Sequence, residues 1–375
     1  MVIEKVNVVH VCPREKGGGR VLRIKTNKGE FETPSRAISS TEVNYKRTVG
    51  CDNPYNNPIL EIIGIFNEES LASLHTRNGP FARRRQSISA MARQFEDVDS
   101  MFHLQPQWGR RNLVYSDKDI KFLVELQSLA NLQYIRIPDT QINSRPEDFE
   151  KVSLGYASFV RDELKREPVP LLDLAMNPDI FKQKLNGIAK SKTDLVKLVA
   201  LQYRSFEQYS ANYGYVWDCR DEDIWFHLSG ADRLLPYHQY TTAGLHFAQR
   251  YGIDTCARLT QQVPVDVPPK PLMKVKRYEA SMLGVIPLEE HKQRYGDDLR
   301  CHCPVCSGKT LSTYVSVYKH DHRGIENSGA LETWSKVHEA FAGSKEFEKE
   351  KRAIREDNLK GYFSSKEKYK GIRLD

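Results

Sequence analysis

The sequence predicts an α/β protein built on a TIM (β/α)8 barrel, with an N-terminal antiparallel β-meander and a late zinc-binding subdomain. Two observations point to the barrel: apolar runs alternate with amphipathic stretches, and no glycine-rich dinucleotide fingerprint follows the early strands. Alternating strands and helices favour a parallel sheet, and the length of the alternating region favours closure. A doubly wound sheet is the alternative fold, although its usual cofactor signature is missing.

The elements of this fold follow from hydrophobic periodicity. Short alternating segments at 6–11, 20–24 and 29–34 predict the meander. Longer apolar runs predict barrel strands at 59–66, 132–137, 169–174, 195–201 and 224–228. Amphipathic helices are predicted between them, at 117–130, 147–164 and 178–189.

A proline-rich stretch at 263–271 ends the alternating pattern and marks a loop before the metal segment. We therefore predict a barrel with its meander over 1–290 and a zinc subdomain over 291–345. The remaining 346–375 are rich in Lys, Glu and Arg and predict a charged, exposed C-terminal helix and tail.

Three thiols within six residues, Cys301, Cys303 and Cys306, predict a metal site. Zinc takes four soft or borderline donors in a tetrahedron, and a tight turn can supply three of them. His338 is our preferred fourth ligand, because its surroundings resemble the start of a helix. His320 and His322 are closer in sequence and stay open as alternatives, and the competing interpretation of the thiols is a buried or redox-active group.

Composition bounds the class of protein. Of seven cysteines, the four outside the cluster are scattered, which does not fit a disulfide framework. No apolar run approaches the roughly 20 residues of a membrane span. We therefore expect a soluble cytoplasmic protein, in the host cytoplasm if a phage encodes it. The net charge of +7 is concentrated at 83–85, 110–111 and 274–277. These segments are expected either to contact phosphates or to be ordinary loops exposed to solvent.

Polar residues after apolar runs are the candidates for chemistry, because barrel enzymes work at the C-terminal ends of their strands. Asp99 and Ser100, Asp139, Gln202 and Asp254 stand in such positions. Each single Asp has the alternative role of capping the following helix.

Taken in order, these segments resemble the tRNA-guanine transglycosylase superfamily, barrel enzymes with a Cys-x-Cys-x2-Cys…His zinc site. Segment 32–34 resembles the early Thr-Pro segment of the family, and 99–102 its Asp-Ser-Gly-Gly motif with both glycines replaced. Asp139 and Gln202 match base-contacting residues, and the segment 227–230, ending at Gly230, resembles the stretch that leads to the nucleophile. Where the family has its nucleophilic Asp this chain has Ala257, so Asp254 is the nearest carboxylate.

The resemblance implies base exchange through a covalent glycosyl-enzyme. Asp254 would be the nucleophile and Asp99 would carry the proton. Ser100, Asp139, Gln202 and Gly230 would bind the base, and a structural Zn²⁺ would be held by Cys301, Cys303, Cys306 and His338.

The replaced glycines and compressed N-terminal half favour the branch that exchanges guanine in DNA for a preQ0-like 7-deazaguanine. The alternatives are a tRNA enzyme of the queuosine or archaeosine type and a non-catalytic zinc-containing nucleic-acid-binding protein. The expected partners are nucleic acid, DNA before tRNA, and the 7-deazaguanine base. The sequence leaves open whether accessory proteins or a homodimer contribute.

Overall fold

The N-terminal strands form a three-stranded antiparallel sheet, as predicted, in a computed structural model of the chain. It contains β1 (Ile3–Val11), β2 (Arg20–Thr26) and β3 (Gly29–Glu32). The structure describes residues 2–39, 59–66, 68–76, 79–93, 98–106, 114–191, 194–231, 243–258, 270–321 and 323–367.

The predicted barrel is confirmed. Its strands run parallel, in the order β4-β12-β11-β10-β9-β8-β7-β6-β5. They are β4 (Ser35–Arg36), β5 (Ile38–Ser39), β6 (Ile59–Phe66), β7 (Asp99–Pro106), β8 (Tyr134–Ile137), β9 (Glu167–Asp173), β10 (Leu198–Gln202), β11 (Trp225–Ala231) and β12 (Thr255–Arg258). Because β4 pairs with β12 and β5 pairs with β6, these two short pieces act as one strand that nearly closes the cylinder.

Helices follow the strands around the outside of the barrel. They are α1 (Glu68–His75), α2 (Gly79–Ala92), α3 (Asp117–Leu129), α4 (Pro146–Phe149), α5 (Gly155–Asp162), α6 (Pro178–Ser191), α7 (Ser210–Asp218) and α8 (Ala243–Phe247). Ser116 and Asp119 form a capping box that begins α3. The helix predicted at 147–164 is α4 and α5 joined by a π-helical turn.

Successive side chains of each barrel strand point alternately into the barrel and out toward the helices, so the strands have two packing faces. Met101, Tyr134 and Trp225 point into the barrel and share a buried cluster with Leu22 and Ile24 of the N-terminal sheet. This sheet therefore covers the N-terminal ends of the strands. The intervening residues pack outward against the helices in a second cluster.

Among the strands that the sequence did not predict, β7 and β12 affect the predicted site. Asp99 begins β7 and Asp254 immediately precedes β12, whereas both were expected after the end of an element. Both residues consequently lie at the N-terminal end of the barrel, opposite the end where barrel enzymes place their chemistry.

The late part of the chain forms a hairpin and four helices. These are β13 (Lys276–Glu279), β14 (Gly284–Pro287), α9 (Leu288–Tyr295), α10 (Leu311–Tyr318), α11 (Ser328–Arg355) and α12 (Leu359–Ser364). Helix α11 runs without a break through the boundary predicted between 345 and 346. The segment after 345 is less exposed than predicted, because Phe347, Glu350 and Ile354 are buried. None of the described helices has the length and apolarity needed to cross a membrane.

Candidate functional site

Cys301, Cys303, Cys306 and His338 come together in the late module, with their ligand atoms within 4.8 Å of one another. The turn that presents the thiols is closed by the backbone N–H of Cys306, which donates to the carbonyl of Cys303. His338 arrives from α11, as predicted. His320 lies outside this group, and its backbone pairs with that of Glu326 in an isolated antiparallel β-bridge. His322 falls outside the described residues.

The geometry of this Cys3His group fits a tetrahedral metal. Nδ1 of His338 lies 3.6, 3.4 and 3.4 Å from the sulfurs of Cys301, Cys303 and Cys306. Ligand bonds of about 2.3 Å to sulfur and 2.0 Å to nitrogen place two such donors roughly 3.6 Å apart in a tetrahedron. Nε2 of His338 donates to the carbonyl of Tyr278 at 3.0 Å, which leaves Nδ1 free to bind an ion.

Arg277 provides the positive charge beside the Cys3His group. Its guanidinium is buried, and Nη2 donates to the carbonyl of Leu299 at 3.0 Å and to the sulfur of Cys306 at 3.4 Å. Three thiolates with a divalent ion would carry one net negative charge, which this guanidinium would offset. The basic segment 274–277 therefore does not present Arg277 to phosphate.

Asp254, the predicted nucleophile, is fully buried in an ion pair with Arg20 of β2. Arg20 Nη2 lies 2.7 Å from Oδ2 and Nε lies 3.0 Å from Oδ1, while the N–H of Phe226 donates to Oδ2 at 2.8 Å. Burial raises the pKa of the Asp254 carboxyl, and Arg20 opposes that rise. The carboxylate joins the N-terminal sheet to the barrel at the end opposite the mouth, a position that does not favour its predicted role as nucleophile.

Asp99 and Ser100 are likewise at the wrong end of the barrel for the predicted chemistry. Asp99 accepts a hydrogen bond from the Tyr134 hydroxyl at 3.1 Å and lies 3.6 Å from Lys28 Nζ. Burial raises the pKa of the Asp99 carboxyl. Ser100 lines a depression of about 320 Å³ together with Lys28 and Arg93. The structure does not bring either residue to the remaining predicted site.

Asp139 does lie at the C-terminal end, just after β8, but its oxygens are occupied. Lys184 of α6 pairs with Oδ2, and the hydroxyl of Ser144 donates to Oδ1 at 2.6 Å. Both Asp139 and Lys184 are buried, and burial lowers the pKa of Lys184. The pair fixes the loop after β8, and only 7% of Asp139 is exposed, so its expected contact with a base stays a prediction.

Gln202 and Gly230 lie at the C-terminal mouth, as predicted. Gln202 ends β10 and pairs in register with Asp173 of β9 and with Ser229 of β11. Gly230 has a φ of 75° within a register irregularity of β11, a conformation that favours glycine. Asp173 pairs with Arg204 and accepts from the N–H of Ala175 at 2.8 Å. Its side chain is 20% exposed.

A buried polar cluster, which we call the barrel floor, lies inside the barrel beneath this mouth. It consists of Glu61, His103, Arg136, His227 and Ser229. Oε1 of Glu61 accepts from Ser229 and lies 3.2 Å from Arg136 Nη2 and 3.3 Å from His227 Nε2. Oε2 of Glu61 lies 3.4 Å from His103 Nδ1. Nε2 of His103 in turn contacts Oε1 of Gln202 at 3.1 Å.

The barrel floor holds Glu61 as an anion. Burial alone raises the pKa of the Glu61 carboxyl, but His103, His227 and Arg136 bring it well below its ordinary value. Burial lowers the pKa of His227 and keeps it neutral. The sequence analysis missed this cluster, although a signal was available: Glu61 is the one charged residue within an apolar run predicted to be a buried strand.

Basic residues lie beside the mouth on α2. Arg83 is exposed, and the guanidinium of Arg84 stacks over Phe66, the last residue of β6, at 5.3 Å. The segment 83–85 is thus at the C-terminal rim, where a polyanion approaching the mouth would meet it. Segment 110–111 lies outside the described residues.

Comparisons with known proteins show resemblance of fold alone. No protein-family model matches the chain, and no curated protein matches it. It is similar to 3-dehydroquinate dehydratase from Geobacillus kaustophilus, with 9% identity, 62% of this chain and 87% of that one covered, and a TM-score of 0.40.

Other similar structures are larger. For Rhizobium etli pyruvate carboxylase the identity is 11%, the TM-score is 0.41, and 90% of this chain spans 32% of that one. For an enolase protein from the Sargasso Sea environmental genome the identity is 10%, the TM-score is 0.35, and the coverage is 64% and 59%. Similarity this low carries no argument about activity, so function has to be argued from the residues of the site.

Proposed function

We propose that the chain is a guanine transglycosylase that exchanges guanine in DNA for a preQ0-like 7-deazaguanine base. The observation that carries the proposal is the Cys3His group: its Cys-x-Cys-x2-Cys…His order resembles that of the transglycosylases, and it follows the last strand of a (β/α)8 barrel. The ion is proposed to be zinc, which favours thiolate and imidazole donors in a tetrahedron. Four protein ligands leave it no open position, so its role is structural.

Asp173 takes the place of Asp254 as the proposed nucleophile. Replacing a base on the same face of the sugar requires two displacements, and a carboxylate at the mouth supplies the first. Asp173 attacks C1′ as the bond from C1′ to the guanine nitrogen breaks. The nitrogen of the incoming base then attacks C1′ and releases the carboxylate. Arg204 and the N–H of Ala175 hold Asp173 in place for both steps.

Gln202 is proposed to contact the base, since it pairs in register with Asp173 and its amide matches the amino and carbonyl groups of a guanine ring. The target nucleotide has to leave the duplex to reach Asp173 and Gln202 inside the barrel mouth, and this unstacking costs about a few kcal/mol. Phosphate contacts from the arginines at 83–85 would offset that cost.

The test follows a labelled 7-deazaguanine base into duplex DNA or tRNA in the presence of the purified protein. We expect label in DNA and a covalent complex that can be trapped with substrate. The variant D173N should abolish both, whereas D179N, which alters an exposed carboxylate on the next helix, should leave both unchanged. Label in tRNA alone would overturn the assignment to DNA, and label in neither would overturn the enzyme assignment.

A further inference from the structure

We propose that His103 is the proton-transfer residue of this site and that Glu61 is the positioning residue that fixes its tautomer. The inference rests on the proposed function for the reaction, but the pairing of the two side chains is testable without it. His103 replaces Asp99 as the proposed proton-transfer residue, because Asp99 lies at the opposite end of the barrel.

A chain of hydrogen bonds determines what Oε1 of Glu61 contacts. The indole N–H of Trp225 can only donate, and it donates to Thr255 Oγ1 at 2.8 Å. Among the described residues, Nδ1 of His227, also at 2.8 Å, is the acceptor that lies within reach of the Thr255 hydroxyl proton, and we assign the bond in that direction. With Nδ1 accepting, Nε2 of neutral His227 carries its proton toward Oε1 of Glu61. Arg136 and Ser229 also donate to this oxygen.

Oε2 of Glu61 is left for His103. The oxygen and Nδ1 of His103 are 3.4 Å apart, and neither has another hydrogen-bond partner among the described residues. A carboxylate only accepts, so Nδ1 carries a proton in either charge state of the ring. Nε2 is consequently the nitrogen that gains and loses a proton, and it contacts the side chain of Gln202, the last residue of β10.

Gln202 can accommodate both states of His103. Its amide oxygen accepts from a protonated Nε2, in the orientation that the structure has, at 3.1 Å. A half-turn of the amide presents an N–H to an unprotonated Nε2 instead. Charged and titratable groups near His103 come from three other strands: Glu61 on β6, Arg136 on β8 and His227 on β11. The Glu61 anion offsets the charge that the imidazolium carries.

In the reaction, protonated Nε2 gives its proton to a ring nitrogen of the departing guanine as Asp173 bonds to C1′. The incoming base then loses its ring N–H proton to Nε2 as its nitrogen attacks C1′. Each cycle returns His103 to its first state, and no further reactant is needed. Asp173 and His103 both adjoin Gln202, so the sugar and the base meet their groups on either side of one side chain.

The test combines side-chain ¹⁵N NMR of histidine with base exchange. In the wild-type protein we expect the His103 signals, assigned by their loss in H103Q, to show a protonated Nδ1 at every pH. A neutral ring protonated at Nε2 would overturn the inference, whether or not the protein exchanges bases.

For activity, H103Q should slow labelled exchange by about 100-fold or more, the usual range for lost acid–base catalysis. E61Q should change the pH profile of exchange. H75Q is the matched control, since His75 pairs with Asp119 on outer helices, at 2.6 Å, and its loss should leave exchange unchanged. If the wild type exchanges bases and folded H103Q keeps at least a third of that rate, the inference is wrong while the proposed function stands.

Discussion

Replacing Asp254 by alanine should destabilise the protein before it affects any chemistry. The Arg20 and Asp254 side chains are both 0% exposed, and Arg20 also donates to four backbone carbonyls, so it cannot move to solvent when its partner is lost. Removing one partner of such a pair leaves a buried, uncompensated charge and costs about 3–5 kcal/mol.

The assay is urea unfolding at pH 7, with two comparisons. D148A breaks the solvent-exposed pair of Arg145 and Asp148 and should destabilise the protein far less, because solvent screens that pair. Replacing both buried partners, in R20M/D254L, should recover part of the loss, since no lone charge is left. If D254A unfolds within about 1 kcal/mol of wild type and yet forms no covalent complex, the structural role is refuted and the nucleophile is Asp254 after all.

Three further predictions concern the metal and the barrel floor. Purified protein should hold one zinc per chain by elemental analysis, and C306S should lose the zinc and unfold at a lower urea concentration. If the wild-type protein is as stable without metal as with it, the structural role of the site is refuted. R277M should lose metal to a chelator at lower concentrations than R277K, which keeps the charge; equal resistance would exclude Arg277 as the counter-charge. The lowered pKa of Glu61 stabilises the folded state above the unfolded pKa of about 4.3, and this stability is lost as pH falls. Unfolding free energies measured from about pH 6 to about pH 3 should therefore fall more steeply for wild type than for E61Q, mainly below about pH 5.

The fold was largely predictable because the outward faces of the strands are apolar. The runs that became β6, β8, β9, β10 and β11 stood out for that reason. Strand β7 did not, since His103 and Gln105 interrupt its apolar pattern, and β12 has only four residues. A polar residue that points into the barrel, such as His103, makes a strand look like a loop in the sequence, and a four-residue strand is too short to show a pattern.

The candidate site was less predictable than the metal ligands. Three thiols within one turn define a site locally, and only the histidine had to be chosen. The barrel floor is assembled from four strands far apart in sequence, and its members acquire meaning only when the register aligns them. The buried ion pair of Asp254 was not predictable because its partner, Arg20, is 234 residues away in the sequence.

Helix α11 has a consequence for the order in which the protein can be completed during synthesis. Arg36 of β4 lies 4.0 Å from Glu339, and Arg258 of β12 pairs with the same carboxylate, so one side chain of α11 bridges the first and last strands of the barrel. Farther along the helix, Arg355 reaches Glu32 of the N-terminal sheet at 2.6 Å. Glu339 directly follows the ligand His338. The ribosome therefore has to synthesise α11 before Glu339 can link β4 to β12. The metal ligand His338 and this linking residue then lie on one helical turn.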